Sequence, residues 1–118
     1  MIDHIGLRVK NLDQAKKLYA AVLAPLGHVL GAEGEGYAGF GPKGSPKLWL
    51  HASKNGGGAH VCFAAKSRKE VDAFHAAGLK AGAKDNGKPG LRPDYSPTYY
   101  GAFLLDGEGN NIEAVCFR

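Results

Sequence analysis

The sequence predicts an α+β chain made of two copies of one βαβββ unit. Three observations carry that reading: a gapless internal repeat, an apolar period that switches from strand to helix in each copy, and three further strand segments after each helix. Shifting the chain by 56 positions lays DHIGLRVKNLDQAKKLYAAVL over AHVCFAAKSRKEVDAFHAAGL, so that His4 meets His60. Ile5 then meets Val61, Leu7 meets Phe63, Leu18 meets Phe74 and Leu23 meets Leu79. With 118 residues and 44% hydrophobic content, the chain suits one compact domain, with module one at about 1–55 and module two at about 56–118.

Each copy opens on an alternating strand. Ile5, Leu7 and Val9 point to a helix while His4, Gly6 and Arg8 point the other way; Val61, Phe63 and Ala65 repeat this opposite His60, Cys62 and Ala64. Both histidines therefore lie on the same kind of face. A helix follows in each copy, opened by Asn11 with Gln14 and by Ser67 with Glu70, spacings that satisfy the free amides of a first turn. Leu12, Ala15, Tyr19, Val22 and Leu23 form one apolar stripe, and Val71, Phe74, Gly78 and Leu79 the other. Pro25 and Gly27 end the first helix, and Gly82 ends the second.

The remaining strands are predicted at His28 to Ala32, Tyr37 to Phe40 and Leu48 to His51, then at Ala83 to Asp85, Tyr99 to Leu105 and Asn111 to Phe117. Asn55-Gly56-Gly57-Gly58 separates the copies, and Asp106 to Asn110 forms a tight turn. Asn86 to Pro97 has no counterpart in the first half and reads as an inserted loop, the usual place for a lid.

Composition excludes several function classes. No stretch is long and apolar enough for a membrane span, and the start does not read as a secretion signal, so a chain that is neither exported nor membrane-bound is expected. Cys62 and Cys116 lie in apolar runs and are expected to pack as small hydrophobes, which suits the reducing cytoplasm. The net charge of +4 is scattered, with no basic run interleaved with aromatics, so no nucleic-acid partner is expected; it suits the steering of small anions. Gly34 to Gly39 spells GxGxxG, but Phe40-Gly41-Pro42 forbids the helix a dinucleotide site needs. No nucleophile sits beside an obvious base, and His28 and His75 read as surface residues.

The chemistry concentrates on three residues. Histidines at equivalent places in duplicated strands become neighbours if the copies pair symmetrically, and Glu113 is a carboxylate within the apolar run Asn111 to Val115. Burying it is costly unless a cation pairs with it. Two imidazoles and a carboxylate suit zinc, iron, manganese, nickel or cobalt, so His4, His60 and Glu113 are expected to hold one divalent ion. The repeat places Trp49 opposite Glu113 in the first module, whereas a slip of two positions would place His51 there on the same face; Trp49 is favoured. In the inserted loop, Arg92, Tyr95 and Tyr100 are candidates to grip a small-molecule substrate, beside Trp49 and His51.

The segments DHIGLRVKNLDQAKKLYAAVL, GGAHVCFAA and FLLDGEGNNIEAV together resemble the vicinal oxygen chelate superfamily, which includes glyoxalase I, fosfomycin resistance proteins, bleomycin-binding proteins and extradiol dioxygenases. The resemblance covers nearly the whole chain. It implies two βαβββ modules forming a cupped mixed sheet around a metal, commonly in a homodimer, with ligand positions at His4, His60 and Glu113. Glyoxalase I usually has a carboxylate at a fourth ligand position, and the chain departs from that pattern at Trp49 or His51. The function implied is a metal-dependent lyase, isomerase, transferase or dioxygenase acting on a substrate chelated through vicinal oxygens. The alternative is a non-catalytic small-molecule-binding or antibiotic-resistance protein on the same fold.

Overall fold

A computed structural model describes residues 1–118. Two four-stranded mixed sheets lie behind two helices, in the order β1 (Ile5–Val9), α1 (Leu12–Leu23), β2 (Val29–Gly34), β3 (Tyr37–Gly41), β4 (Leu48–Ala52), β5 (His60–Ala64), α2 (Arg68–Lys80), β6 (Lys84–Leu91), β7 (Tyr100–Leu105) and β8 (Asn111–Cys116). The first sheet runs β1-β4-β3-β2 and the second β5-β8-β7-β6, so βαβββ occurs twice with one topology. In each module the opening strand pairs in parallel with the last strand, and the other pairs are antiparallel.

Alternation sorts the first strands as expected. Leu7 and Val9 are buried towards the helices, and Ile5, Val61 and Phe63 pack against the core. The two helices pack on each other, and one apolar core draws on both modules. Asn11 caps α1 by accepting from the Gln14 amide at 3.1 Å, and Ser67 caps α2 by accepting from the Glu70 amide at 3.2 Å. The back half of each capping box differs from expectation. The Asn11 amide donates to Glu108 from the other module, at 2.9 Å, while Glu70 accepts from the Lys66 amide. After α1, a short turn of 3₁₀ helix at Ala24–Leu26 contains Pro25 and closes on Gly27, whose φ of +86° suits glycine.

A second link joins the modules at the β7–β8 turn. Buried Asp106 accepts from the Tyr19 hydroxyl at 2.7 Å, from the Glu108 and Asn110 amides at 2.8 Å each, and from the Asn110 side chain at 2.8 Å. Tyr19, on α1, thereby holds the turn that leads into β8, the strand carrying Glu113.

Four expectations are corrected. Asn86 to Leu91 is not loop but the greater part of β6, an edge strand that tolerates Pro89 and is bulged around Gly87. His75 is not a surface residue: it is buried on α2, its Nε2 2.9 Å from Asp85 Oδ1. Leu79, expected in the apolar stripe, is exposed, because the buried set Val71, Phe74, His75 and Gly78 completes the helical face without it. Cys116 is buried as expected, whereas Cys62 lies on the open face of β5.

Candidate functional site

Of the expected site residues, His60 and Glu113 lie on the second sheet and Trp49 and His51 on the first, on the faces turned away from the helices. On the second sheet, the register sets Cys62 of β5 beside Glu113 of β8, and Glu113 beside Phe103 of β7. His60, two residues before Cys62, shares that face, and its Nε2 stands 3.3 Å from Glu113 Oε1. The Glu113 side chain is only 3% exposed, so this carboxylate has been taken out of water and depends on its partners. Tyr99 supplies one: its hydroxyl donates to Glu113 Oε2, which leaves Oε1 for His60.

The other nitrogen of His60 is held by the backbone. Nδ1 lies 3.1 Å from the Asn111 carbonyl oxygen, which can only accept, so Nδ1 donates to it and Nε2 is the nitrogen left facing Glu113. Either a proton or a metal ion can stand between Nε2 and the carboxylate oxygen. The spacing suits a metal. Two donor atoms about 2.0–2.1 Å from one ion at a tetrahedral angle stand about 3.3 Å apart. An imidazole whose second nitrogen is tied to a backbone carbonyl is also the usual arrangement of a metal-binding histidine. His60 and Glu113 are one imidazole and one carboxylate, donor types that a divalent cation takes.

Burial, then the Glu113 charge, raise the pKa of neighbouring groups. Packing around the Cys62 thiol, followed by the carboxylate, pushes it up to about 12, which keeps the thiol protonated at neutral pH. Tyr99 is pushed upward from its ordinary value, first by desolvation and then by its hydrogen bond to Glu113.

His4 does not join this pair. It precedes β1, its side chain is 61% exposed, and its Nδ1 lies 2.8 Å from Asp3. It lines a different feature, a groove of about 550 Å³ shared with Ile5, Phe40, Lys47, Val61 and Phe63. Within one chain no group of three histidine, cysteine or acidic side chains is placed to hold a metal ion. The three expected ligands are therefore two neighbours and one residue apart.

On the first sheet, the register answers the question of the fourth position. Gly6 pairs with Trp49 as Cys62 pairs with Glu113, so Trp49 is the counterpart of the glutamate. Gly39, opposite Trp49, is required there: a Cβ would come within 2.6 Å of the indole. His51 lies two pairs further along, beside Arg8 and Tyr37, and covers Gly6.

The grip expected of Tyr100 is corrected by the pleat. Tyr100 faces α2, where its hydroxyl donates to Asp72 at 2.6 Å and Arg68 lies over its ring. Tyr99 is the phenol on the open face, and sequence reasoning missed it; the parity of β7, in which Ala102 and Leu104 are fully buried, separates the two tyrosines. Tyr95 is exposed and packs edge-on against Tyr99. Arg92 lies over the Phe103 ring, its guanidinium carbon 5.5 Å from the ring centre. Phe103 was also missed, although its place opposite Glu113 follows from the β7–β8 hairpin.

This cupped pair of βαβββ modules is the architecture of the glyoxalase, bleomycin resistance and dioxygenase proteins. The chain is 30% identical to a glyoxalase/bleomycin resistance protein from Albidiferax ferrireducens T118, with 98% of each chain covered and a TM-score of 0.85. It belongs to the glyoxalase/bleomycin resistance protein family, within the vicinal oxygen chelate superfamily. Two further structures share the fold. One is a glyoxalase/bleomycin resistance protein/dioxygenase family enzyme from Burkholderia phytofirmans PsJN, at 15% identity, 98% of each chain and a TM-score of 0.76. The other is a glyoxylase/bleomycin resistance protein/dioxygenase domain from Frankia sp. EAN1pec, at 20% identity, 100% of this chain, 98% of that one and a TM-score of 0.73. Comparisons with protein-family models and with curated proteins give no match.

Proposed function

We propose that the protein is a divalent-metal-dependent enzyme acting on a small substrate held through two neighbouring oxygens, with His60 and Glu113 as metal ligands and His4 contributed by a second copy of the chain. The observation that carries this reading is the His60–Glu113 pair: Nδ1 is held by the Asn111 carbonyl, and Nε2 is left 3.3 Å from a carboxylate that is almost fully buried. His4 is exposed at the register equivalent to His60, and β1 and β5 are both edge strands, so a homodimer is the simplest way to bring the third ligand in. When bound, a divalent cation supplies Lewis acidity towards the two substrate oxygens.

The chain's own groups have separate tasks. Tyr99 orients Glu113, and the Asn111 carbonyl orients His60. Trp49, at the place where a fourth side-chain ligand would stand, leaves coordination positions to the substrate. Trp49, His51, Arg92 and Tyr95 form its surroundings. The cytoplasm is the proposed compartment, and no helix is long and apolar enough to cross a membrane.

Metal analysis tests the reading. Protein offered zinc, iron, manganese, nickel or cobalt in turn is expected to retain one ion per chain, and His60→Ala to lose it. Protein that binds none of them would sink the enzyme reading, and stoichiometric metal in His60→Ala would show the ligand set to be wrong. A second reading, a non-catalytic small-molecule-binding or resistance protein, is favoured by the aromatic pair Trp49 and Tyr37, whose ring centres are 6.3 Å apart on the face opposite the helices. It predicts tight binding of a planar compound with no metal and no turnover.

A further inference from the structure

The second sheet carries more than the ligand pair. Its strand order is β5-β8-β7-β6, and His60, Glu113 and Phe103 come from three successive strands, with Arg92 directly after the fourth. The Phe103 ring is 6.4 Å from the His60 imidazole and nearly parallel to it, and the Arg92 guanidinium is 5.5 Å from Phe103. One phenyl ring therefore separates the metal-binding end of the face from a cation, and the sum of the two distances bounds the gap between imidazole and guanidinium.

Arg92 is held by a backbone contact and has no carboxylate partner. A Cβ would stand 3.3 Å from its Nη2 at Gly87 and 3.2 Å from its Nη1 at Gly90, so these two glycines give the guanidinium room to lie against β6. Nη2 donates to the Lys88 carbonyl at 2.6 Å, which fixes the plane and uses one of five N–H groups. No carboxylate pairs with Arg92; the ion pairs of the chain lie elsewhere. An arginine with its plane fixed and its remaining donors free is suited to grip a carboxylate through two hydrogen bonds.

We infer that Arg92 is an anion-reading subsite, and that the substrate is a planar aromatic or conjugated carboxylate with two neighbouring oxygens at the end remote from the carboxyl group. This inference rests on the metal-site reading for the oxygen end alone. Phe103, flanked by the imidazole and the guanidinium, sets an apolar ring between the two polar ends of the site, and the net charge of +4 favours the approach of anions.

The test compares 3,4-dihydroxybenzoate with catechol on zinc-loaded protein by titration calorimetry, zinc being inert to oxidation and reduction. Wild type is expected to bind the carboxylate at least about tenfold more tightly than catechol, as a charge-assisted hydrogen bond implies. R92Q should lose that preference while keeping its zinc and its catechol affinity. Equal affinities in wild type, binding of neither compound, or a preference that survives in R92Q would overturn the subsite. If the protein takes up no zinc, the metal reading fails and benzoate decides the subsite separately: binding in wild type that R92Q abolishes supports it, and no binding refutes it.

Discussion

Replacing Tyr19 with phenylalanine removes a single hydroxyl from the contact that ties α1 to the β7–β8 turn. The ring is fully buried and stays in place, so no cavity term enters. What is lost is a 2.7 Å hydrogen bond to a buried carboxylate, and Asp106 Oδ2 keeps only the Asn110 side chain. Hydrogen bonds to charged groups are worth about 1.5–3 kcal/mol, and for a chain of this size each kcal/mol moves Tm by roughly 4 °C. Y19F should therefore melt about 6–12 °C below wild type when followed by circular dichroism.

The same contact gives a signature at high pH. Burial, followed by the Asp106 charge, pushes the Tyr19 pKa well above its ordinary value of 10.0, so the folded chain holds this proton more tightly than the unfolded one. A group raised on folding adds stability that is complete below the unfolded pKa and is lost as pH rises beyond it. Wild type should lose stability steeply above about pH 10, and Y19F should lose less over that window. A melting temperature unchanged by Y19F, or identical alkaline slopes for the two proteins, would refute the claim that this bond joins the modules.

Gly78→Ala should destabilise the fold even though alanine is the better helix former by about 1 kcal/mol, because its Cβ would come within 2.2 Å of fully buried Leu104. Urea denaturation should show a net loss of roughly 1–2 kcal/mol, and a stabilised variant would contradict the packing of α2 on β7. Gly39→Ala should push the indole of Trp49 outward, and as the chain has one tryptophan, the fluorescence maximum should move to longer wavelength.

The fold was legible because duplication doubled every signal. A weak alternating strand before Asn11 gains force when the same pattern stands before Ser67, and the structure has β1 and β5 at those places. Aligning Pro42 to Trp49 with Asp106 to Glu113 makes Trp49 the counterpart of Glu113, and the strand pairing agrees. The misreadings have local causes. Gly87, Pro89 and Gly90 conceal β6, because its bulges and its place at a sheet edge permit residues that a central strand excludes. Adjacent tyrosines at 99 and 100 point to opposite faces, and the phase of β7 had to be taken from Ala102 and Leu104 to tell them apart. His75 occupies a core position of α2 because Asp85 satisfies its ring nitrogen, a contact between elements that no local period announces. Symmetry also said which residues are equivalent without saying whether they meet within one chain, and His4 shows the difference.

The most direct measurement of the central claim is metal recovery in a mixed dimer. His4→Ala and His60→Ala chains, each carrying a different tag, would be purified separately, mixed, and isolated as heterodimers. If His4 reaches the His60 and Glu113 of a second copy, each single variant binds no metal while the heterodimer, which rebuilds one intact site, binds one ion. A heterodimer that binds none, or a His60→Ala protein that keeps its metal, would contradict the account.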